Sequence, residues 1–245
     1  MAKLDKTLYS KEEAARLMAE RRSEKKQLQK EAAKPQTVSY SINQKRKDHY
    51  QLNAFVLGNG LSREPIDPND MSKIGPVYGC NALYRTFSPD YLVAVDVKMI
   101  LEINKAGYQH NHEVWTNPNK SYHKIKGLNV FHPSKGWSSG PTALWLATQH
   151  QHEKVFILGF DYQGLEDGKR LNNIYADTPN YKKSMEGATF FGNWLRQTQT
   201  VIKDNPHTTY YRVIQPDNYI PDQLNSFANL KTIFVEDFKK MFDIS

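Results

Sequence analysis

The sequence predicts an α/β fold in three layers around a mainly parallel sheet, preceded by a helical arm. Three observations predict it. From residue 52 onward, short apolar runs alternate with stretches of helical periodicity, the pattern of strand-helix-strand units. At 245 residues the chain is long enough to bury a self-sufficient core, as one large domain or two small ones. Glycine, Asn or Asp comes directly after several of the apolar runs, and open α/β sheets bind their ligands beyond the carboxyl ends of the strands.

The arm comes first. Ser10-Lys11-Glu12-Glu13 fits a capping box, and the next run, rich in Ala, Glu, Lys, Arg, Gln and Leu, reads as a helix of about six turns that Pro35 ends. Its apolar positions, Ala14, Leu17, Met18, Leu28 and Ala32, form a thin stripe broken around residues 21–26. A solvated arm is therefore expected, with contact to a partner protein, a neighbouring subunit or nucleic acid as its functional alternative. Residues 35–48, with Lys45-Arg46-Lys47, read as a linker, so that 1–48 is arm and 49–245 is the α/β domain. Strands are expected at 52–57, 77–80, 91–95, 113–116, 155–158 and 209–214, with a seventh at 232–235. Helices are expected at 97–106, 140–151 and 185–203. The result is a Rossmann-like arrangement.

Charge and composition narrow the function classes. The net charge is +7, but residues 1–48 hold 13 Lys and Arg against 7 Asp and Glu, whereas 49–245 hold 20 against 19. The basicity belongs to the arm, and the overall charge of the domain gives no support for a basic nucleic-acid-binding face. No apolar run approaches the roughly 20 residues that span a bilayer, and MAKLDKTLYSKEE has no apolar signal stretch, so neither membrane insertion nor export is expected. The single cysteine, Cys80, excludes an intrachain disulfide framework and suits a reducing cytoplasm.

The chemistry is expected at strand ends. The first strand runs into Gly58-Asn59-Gly60-Leu61-Ser62-Arg63, where two glycines let the backbone turn sharply and approach a ligand. A plain turn is the alternative. The second strand ends in Gly79-Cys80-Asn81, and an Asn amide suits a base edge, a ribose or a phosphate oxygen. The third ends in Val95-Asp96. Trp137-Ser138-Ser139-Gly140-Pro141 precedes an apolar helix, with Ser138 or Ser139 as its cap or its amide edge as a nucleotide site. A later strand delivers Leu158-Gly159-Phe160-Asp161-Tyr162. Neither GxGxxG nor GxxxxGK[ST] occurs, which removes ordinary dinucleotide and Walker readings. The histidine pairs His110/His112 and His150/His152 lack HExxH spacing, so no metal is expected and surface histidines are the simpler reading.

In this order, Leu57-Gly58-Asn59-Gly60-Leu61-Ser62, Gly79-Cys80-Asn81, Ser138-Ser139-Gly140 and Leu158-Gly159-Phe160-Asp161 resemble the CMP-sialic-acid-dependent sialyltransferases of glycosyltransferase family 42. They also resemble the DUF115 superfamily, which includes pterin pyrophosphokinases. The resemblance covers roughly 52–215. The overall pattern is similar to proteins of tailed phages, which implies a host cytoplasm.

The resemblance implies a Rossmann-like nucleotide-binding domain over 49–245. Gly58, Asn59, Gly60, Asn81, Ser138, Ser139, Gly140, Gly159 and Asp161 would line a CMP moiety. The CMP-sugar would be a donor substrate, with no cofactor and an acceptor unknown. A lid with tyrosine hydroxyls for the leaving phosphate would fall on Tyr175-Ala176-Asp177-Thr178, with Tyr175 as the first choice and Tyr162 as the second. The family's general-base histidine would fall on Asn193 of Phe191-Gly192-Asn193, and Asn cannot take a proton. Asp161, His132 and Asp96 are the substitute bases. The alternatives are a magnesium- and ATP-dependent pyrophosphokinase, or a catalytically inactive binding or virion-associated protein on the same scaffold.

Overall fold

The computed structural model describes residues 52–188 and 190–244. The helical arm expected over 1–48 lies outside the described residues. Eight strands form one sheet: β1 (Asn53–Leu57), β2 (Val77–Cys80), β3 (Tyr91–Val93), β4 (Val114–Thr116), β5 (Leu128–Val130), β6 (Lys154–Leu158), β7 (Thr209–Ile214) and β8 (Leu230–Phe234). Their order is β5-β4-β3-β2-β1-β6-β7-β8, and every neighbouring pair is parallel. Among the described residues five helices flank it: α1 (Pro68–Ser72), α2 (Val97–Ala106), α3 (Ser139–Gln149), α4 (Gly192–Asp204) and α5 (Val235–Phe242). This is a Rossmann-like α/β fold. Among the described residues no helix is long and apolar enough to cross a membrane.

The three layers arise from the two-residue period of the strands. Along β1, Ala54 and Val56 face one side, where α3 and α4 pack with Ala143, Leu144, Ala147, Leu195 and Ile202. Phe55 and Leu57 face the other, where α1, α2 and α5 supply Met71, Ile100, Ile103 and Phe238. β6 repeats the split with Val155/Ile157 against Phe156/Leu158. Strands covered on both faces must be apolar throughout, which is why β1 and β6 read as continuous hydrophobic runs. Phe55 and Phe156 stack at 5.4 Å on the α5 side, with Phe238 and Phe242 set edge-on to both rings. Each such ring removed from water contributes about 1.5–3 kcal/mol.

The structure differs from the sequence reading at several elements. β3 stops at Val93, and the Val95 N–H donates to the Ser139 hydroxyl at 3.1 Å. β5, not expected, is a half-buried three-residue edge strand with Asn129 at its centre. α4 begins at Gly192 rather than 185, because Met185 and Phe190, which gave the segment its apolar beat, stand exposed to solvent. The last strand ends at Phe234, and Val235 opens α5, with Glu236 and Asp237 in its first turn and Lys239 and Lys240 in its last. The pair His150/His152 is not a surface pair. His152 is buried, and the Tyr78 hydroxyl lies 2.7 Å from His150 Nδ1 and 3.0 Å from His152 Nε2.

Candidate functional site

The strand order has one reversal. β1 to β5 step outward in one direction and β6 to β8 in the other, so β1 and β6 meet at the switch point. The connection from β5 returns through α3, whose N-terminus reaches the carboxyl ends of the central strands. A cleft of about 540 Å³ opens there, within the range of small-molecule sites. Gly58, Asn59, Gly60, Asn81, Ser138, Ser139, Gly140, Gly159 and Asp161 all line it. Four segments, the outermost Gly58 and Asp161, thus meet at one cleft.

The floor is a tight backbone crossing. Gly58 N–H donates to the Leu158 carbonyl at 2.8 Å, and Gly60 N–H to Gly159 at 2.9 Å. Gly159 has φ +70°, a conformation glycine adopts without penalty. A methyl group on Gly58 would strike the Gly159 carbonyl, and one on Gly60 the Asp161 carboxylate. The glycines therefore serve close approach.

Asp161 braces this crossing. Its carboxylate accepts from Ser62 N–H at 3.0 Å and from the Ser62 hydroxyl, so both oxygens are engaged. Behind it, Arg212 of β7, 2% exposed, donates from Nε to the Phe160 carbonyl at 3.1 Å. Its Nη2 reaches the Asp161 carbonyl at 3.4 Å and that of Tyr219 at 2.9 Å, and the guanidinium lies 5.3 Å over the Tyr162 ring. Burial holds its pKa below the ordinary arginine value. Sequence reasoning missed Arg212, whose only signal is one charge inside the apolar run TYYRVI.

On the second wall, Asn81 takes a left-handed conformation, φ 53°, and its Oδ1 accepts from the Ser139 hydroxyl at 2.7 Å. Ser138 stands at the N-cap of α3, yet its side chain makes no capping bond. Its N–H donates instead to Gln197 Oε1 at 3.1 Å, tying α3 to α4. Cys80 lies between the walls with its thiol 3.7 Å from Asn59 Oδ1, and burial pushes that thiol up to about 12. It stays protonated and acts as a small apolar lining.

The residues expected for the lid and the base lie at different depths of the cleft or away from it. Tyr175 is buried in the core below the cleft, and its hydroxyl accepts from Arg63 Nη2 at 3.3 Å. It is not on the cleft wall, because its ring fills apolar space beneath the strap that carries it. Tyr181, six residues on, lines the cleft instead. Its oxygen accepts from Asn59 Nδ2 at 3.0 Å and from Ala82 N–H at 3.3 Å. With two donors on that oxygen, the hydroxyl proton is free to serve another acceptor, and burial raises the pKa so that the proton is kept. Tyr162 also lines the cleft, but its hydroxyl donates to Thr198 Oγ1 at 2.8 Å. Asn193 is exposed on α4 and accepts from Arg196, while its neighbours Phe191 and Trp194 turn to the cleft. His132 is exposed and off the lining. Asp96 lines the cleft from the N-cap position of α2, where its side chain makes no capping bond.

Among the described lining residues the charges are Asp96, Asp161 and one cation, Lys182. Among the described residues no three His, Cys, Asp or Glu side chains gather as a metal site. No protein-family model, no curated protein and no solved structure matches this chain.

Proposed function

We propose that the cleft binds a CMP-type nucleotide sugar and that the protein is a glycosyltransferase-like enzyme. One observation carries the reading: the strand-end residues by which the chain resembles the CMP-dependent sialyltransferases line a single cleft at the switch point of the sheet. Neutral amides and hydroxyls from Asn59, Asn81, Ser138 and Asn172 suit a base edge and a ribose. A lone Lys182, the first-turn amides of α3 and the free Tyr181 proton suit the single negative charge of a phosphodiester.

In this reading the acceptor hydroxyl oxygen attacks the anomeric carbon, the bond to the phosphate oxygen breaks, and CMP departs with that electron pair. Tyr181 and Lys182 hydrogen-bond the leaving phosphate, whose charge grows as the bond breaks. The acceptor proton passes to Asp96, the lining carboxylate not engaged in bracing the floor. Asn193 takes no part.

Calorimetry with CMP, UMP, GMP and ATP tests the pocket. CMP is expected to bind best, and Asn59→Ala to weaken it about tenfold, the equivalent of one hydrogen bond of roughly 1.4 kcal/mol. No nucleotide binding, or binding indifferent to Asn59→Ala, would sink the reading. The two carboxylates on one cleft favour a second reading, pyrophosphoryl transfer from magnesium-ATP. Magnesium-dependent release of AMP would select it. Tight CMP binding without sugar transfer would leave a binding protein on this scaffold.

A further inference from the structure

Tyr181 and Lys182 sit on a strap, residues 171–184, that has no regular secondary structure and borders the cleft. The strap folds on itself through local bonds, among them Leu171 N–H to the Ser184 carbonyl, Asp177 N–H to the Lys182 carbonyl and Thr178 Oγ1 to the Tyr175 carbonyl. Its base is fixed by Ile174 N–H on the Asn59 carbonyl, by Asn172 Oδ1 accepting from Leu61 N–H and by the core-buried Tyr175, whereas its tip, residues 178–180, is held to the body by Arg85 and Glu102. Arg85 ends the 3₁₀ turn Asn81–Arg85 that succeeds β2. Its Nη1 donates to Thr178 Oγ1 at 2.8 Å and its Nη2 to the Pro179 carbonyl at 2.8 Å. The guanidinium also lies 5.8 Å over the Tyr181 ring.

Arg85 is itself fixed by Glu102 of α2 through a two-pronged pair, Nε to Oε1 at 2.8 Å and Nη2 to Oε2 at 2.7 Å. Glu102 reaches the strap as well, accepting from Asn180 Nδ2 at 2.5 Å. Both side chains are only about a fifth exposed (20% and 21%), so the pair is shielded more than an ordinary surface bridge. The same short turn thus serves both ends of the site: Asn81 bonds Ser139 on the second wall, Ala82 N–H holds the Tyr181 hydroxyl, and Arg85 grips the strap.

We propose that the Arg85–Glu102 pair is the latch that holds the strap closed and so positions Tyr181 against the bound phosphate. Arg85 and Glu102 are positioning residues; neither lines the cleft. The ligand half of this inference rests on the nucleotide reading above. The latch half does not.

Hydrogen exchange on the full chain separates the two. Arg85→Met is expected to raise exchange at least tenfold in peptides covering 176–184 while β1 and β6 keep their protection. Should Arg85→Met fold poorly, Glu102→Gln weakens the pair from its other side, and a smaller rise confined to the same peptides is expected. Unchanged exchange in the strap would overturn the latch. CMP titration then reads its consequence: Arg85→Met is expected to raise the dissociation constant about tenfold in the native background and less than threefold in Tyr181→Phe, because the latch acts through that hydroxyl. Equal losses in both backgrounds would overturn the positioning role. If the native chain binds no nucleotide, the nucleotide reading falls while strap exchange still judges the latch.

Discussion

A guanidinium sealed beneath the cleft is costly to desolvate, and Arg212 offsets that cost with three backbone carbonyls and the face of Tyr162. In return it fixes the backbone at Phe160 and Asp161, and with it the carboxylate that braces the Gly58–Ser62 crossing. Arg212→Met would leave those carbonyls without their donor inside the protein. A loss of about 3 kcal/mol in unfolding free energy is expected, read from the midpoint of urea denaturation. A variant as stable as the native chain would mean that the carbonyls find other donors. The contrast with the strand-end residues explains why some of the site is legible in the sequence and some is not. Gly58, Asn59, Asn81 and Gly159 come directly after apolar runs, and a strand buried on both faces can place the residues at its carboxyl end in only one region. Arg212 carries no such positional rule, since a charge within a strand more often marks an edge than a core. Nor could Tyr175 be told from Tyr181. Both lie in one polar segment without periodicity, and only the tertiary packing decides that Tyr175 turns into the core while Tyr181 lines the cleft.

At the scale of elements, legibility tracks length and burial. β1, β2 and β7 are long or fully covered, and their apolar runs announce them. β5 is three residues at the sheet edge, and α5 begins on the residue after β8, so its first apolar residue merges with the strand pattern. The β1 turn is the element on which the cleft depends most, because its path has no spare room. Gly60→Ala would drive a methyl group into the Asp161 carboxylate and part the bonds to Ser62. Overpacking at such a point costs about 1–3 kcal/mol. The same substitution is expected to abolish measurable CMP binding, because Asn59 is carried on the displaced turn. Thermal unfolding and calorimetry on one preparation read both effects. An unchanged affinity in a destabilised variant would separate the turn from the ligand site.

For the whole molecule, the alternation of strands and helices implies a parallel sheet, yet it leaves the strand order open, because order depends on where the chain crosses back. The return through α3 sets it, and places the only reversal of direction among the described strands between β1 and β6. The net charge of +7 suggests a basic ligand-binding surface, but its excess lies in 1–48, and the cleft is lined mainly by neutral groups. This topology makes a prediction about cooperativity. The cleft straddles the junction of two half-sheets, β1 to β5 and β6 to β8, which share the β1–β6 ladder and the crossover helix. A ligand bridging Asn59 and Asn81 on one half and Gly159 and Asp161 on the other binds only when the halves are joined. It should therefore stabilise the folded domain as a unit. At a hundred times its dissociation constant, CMP would add about 2.7 kcal/mol, which for a domain of this size raises the melting temperature by roughly 5–11 °C. The shift should appear as one sharper transition, scale with the logarithm of CMP concentration, and shrink in Asn59→Ala. A ligand-induced shift confined to one of two separable transitions would mean that the nucleotide sits on one half-sheet alone.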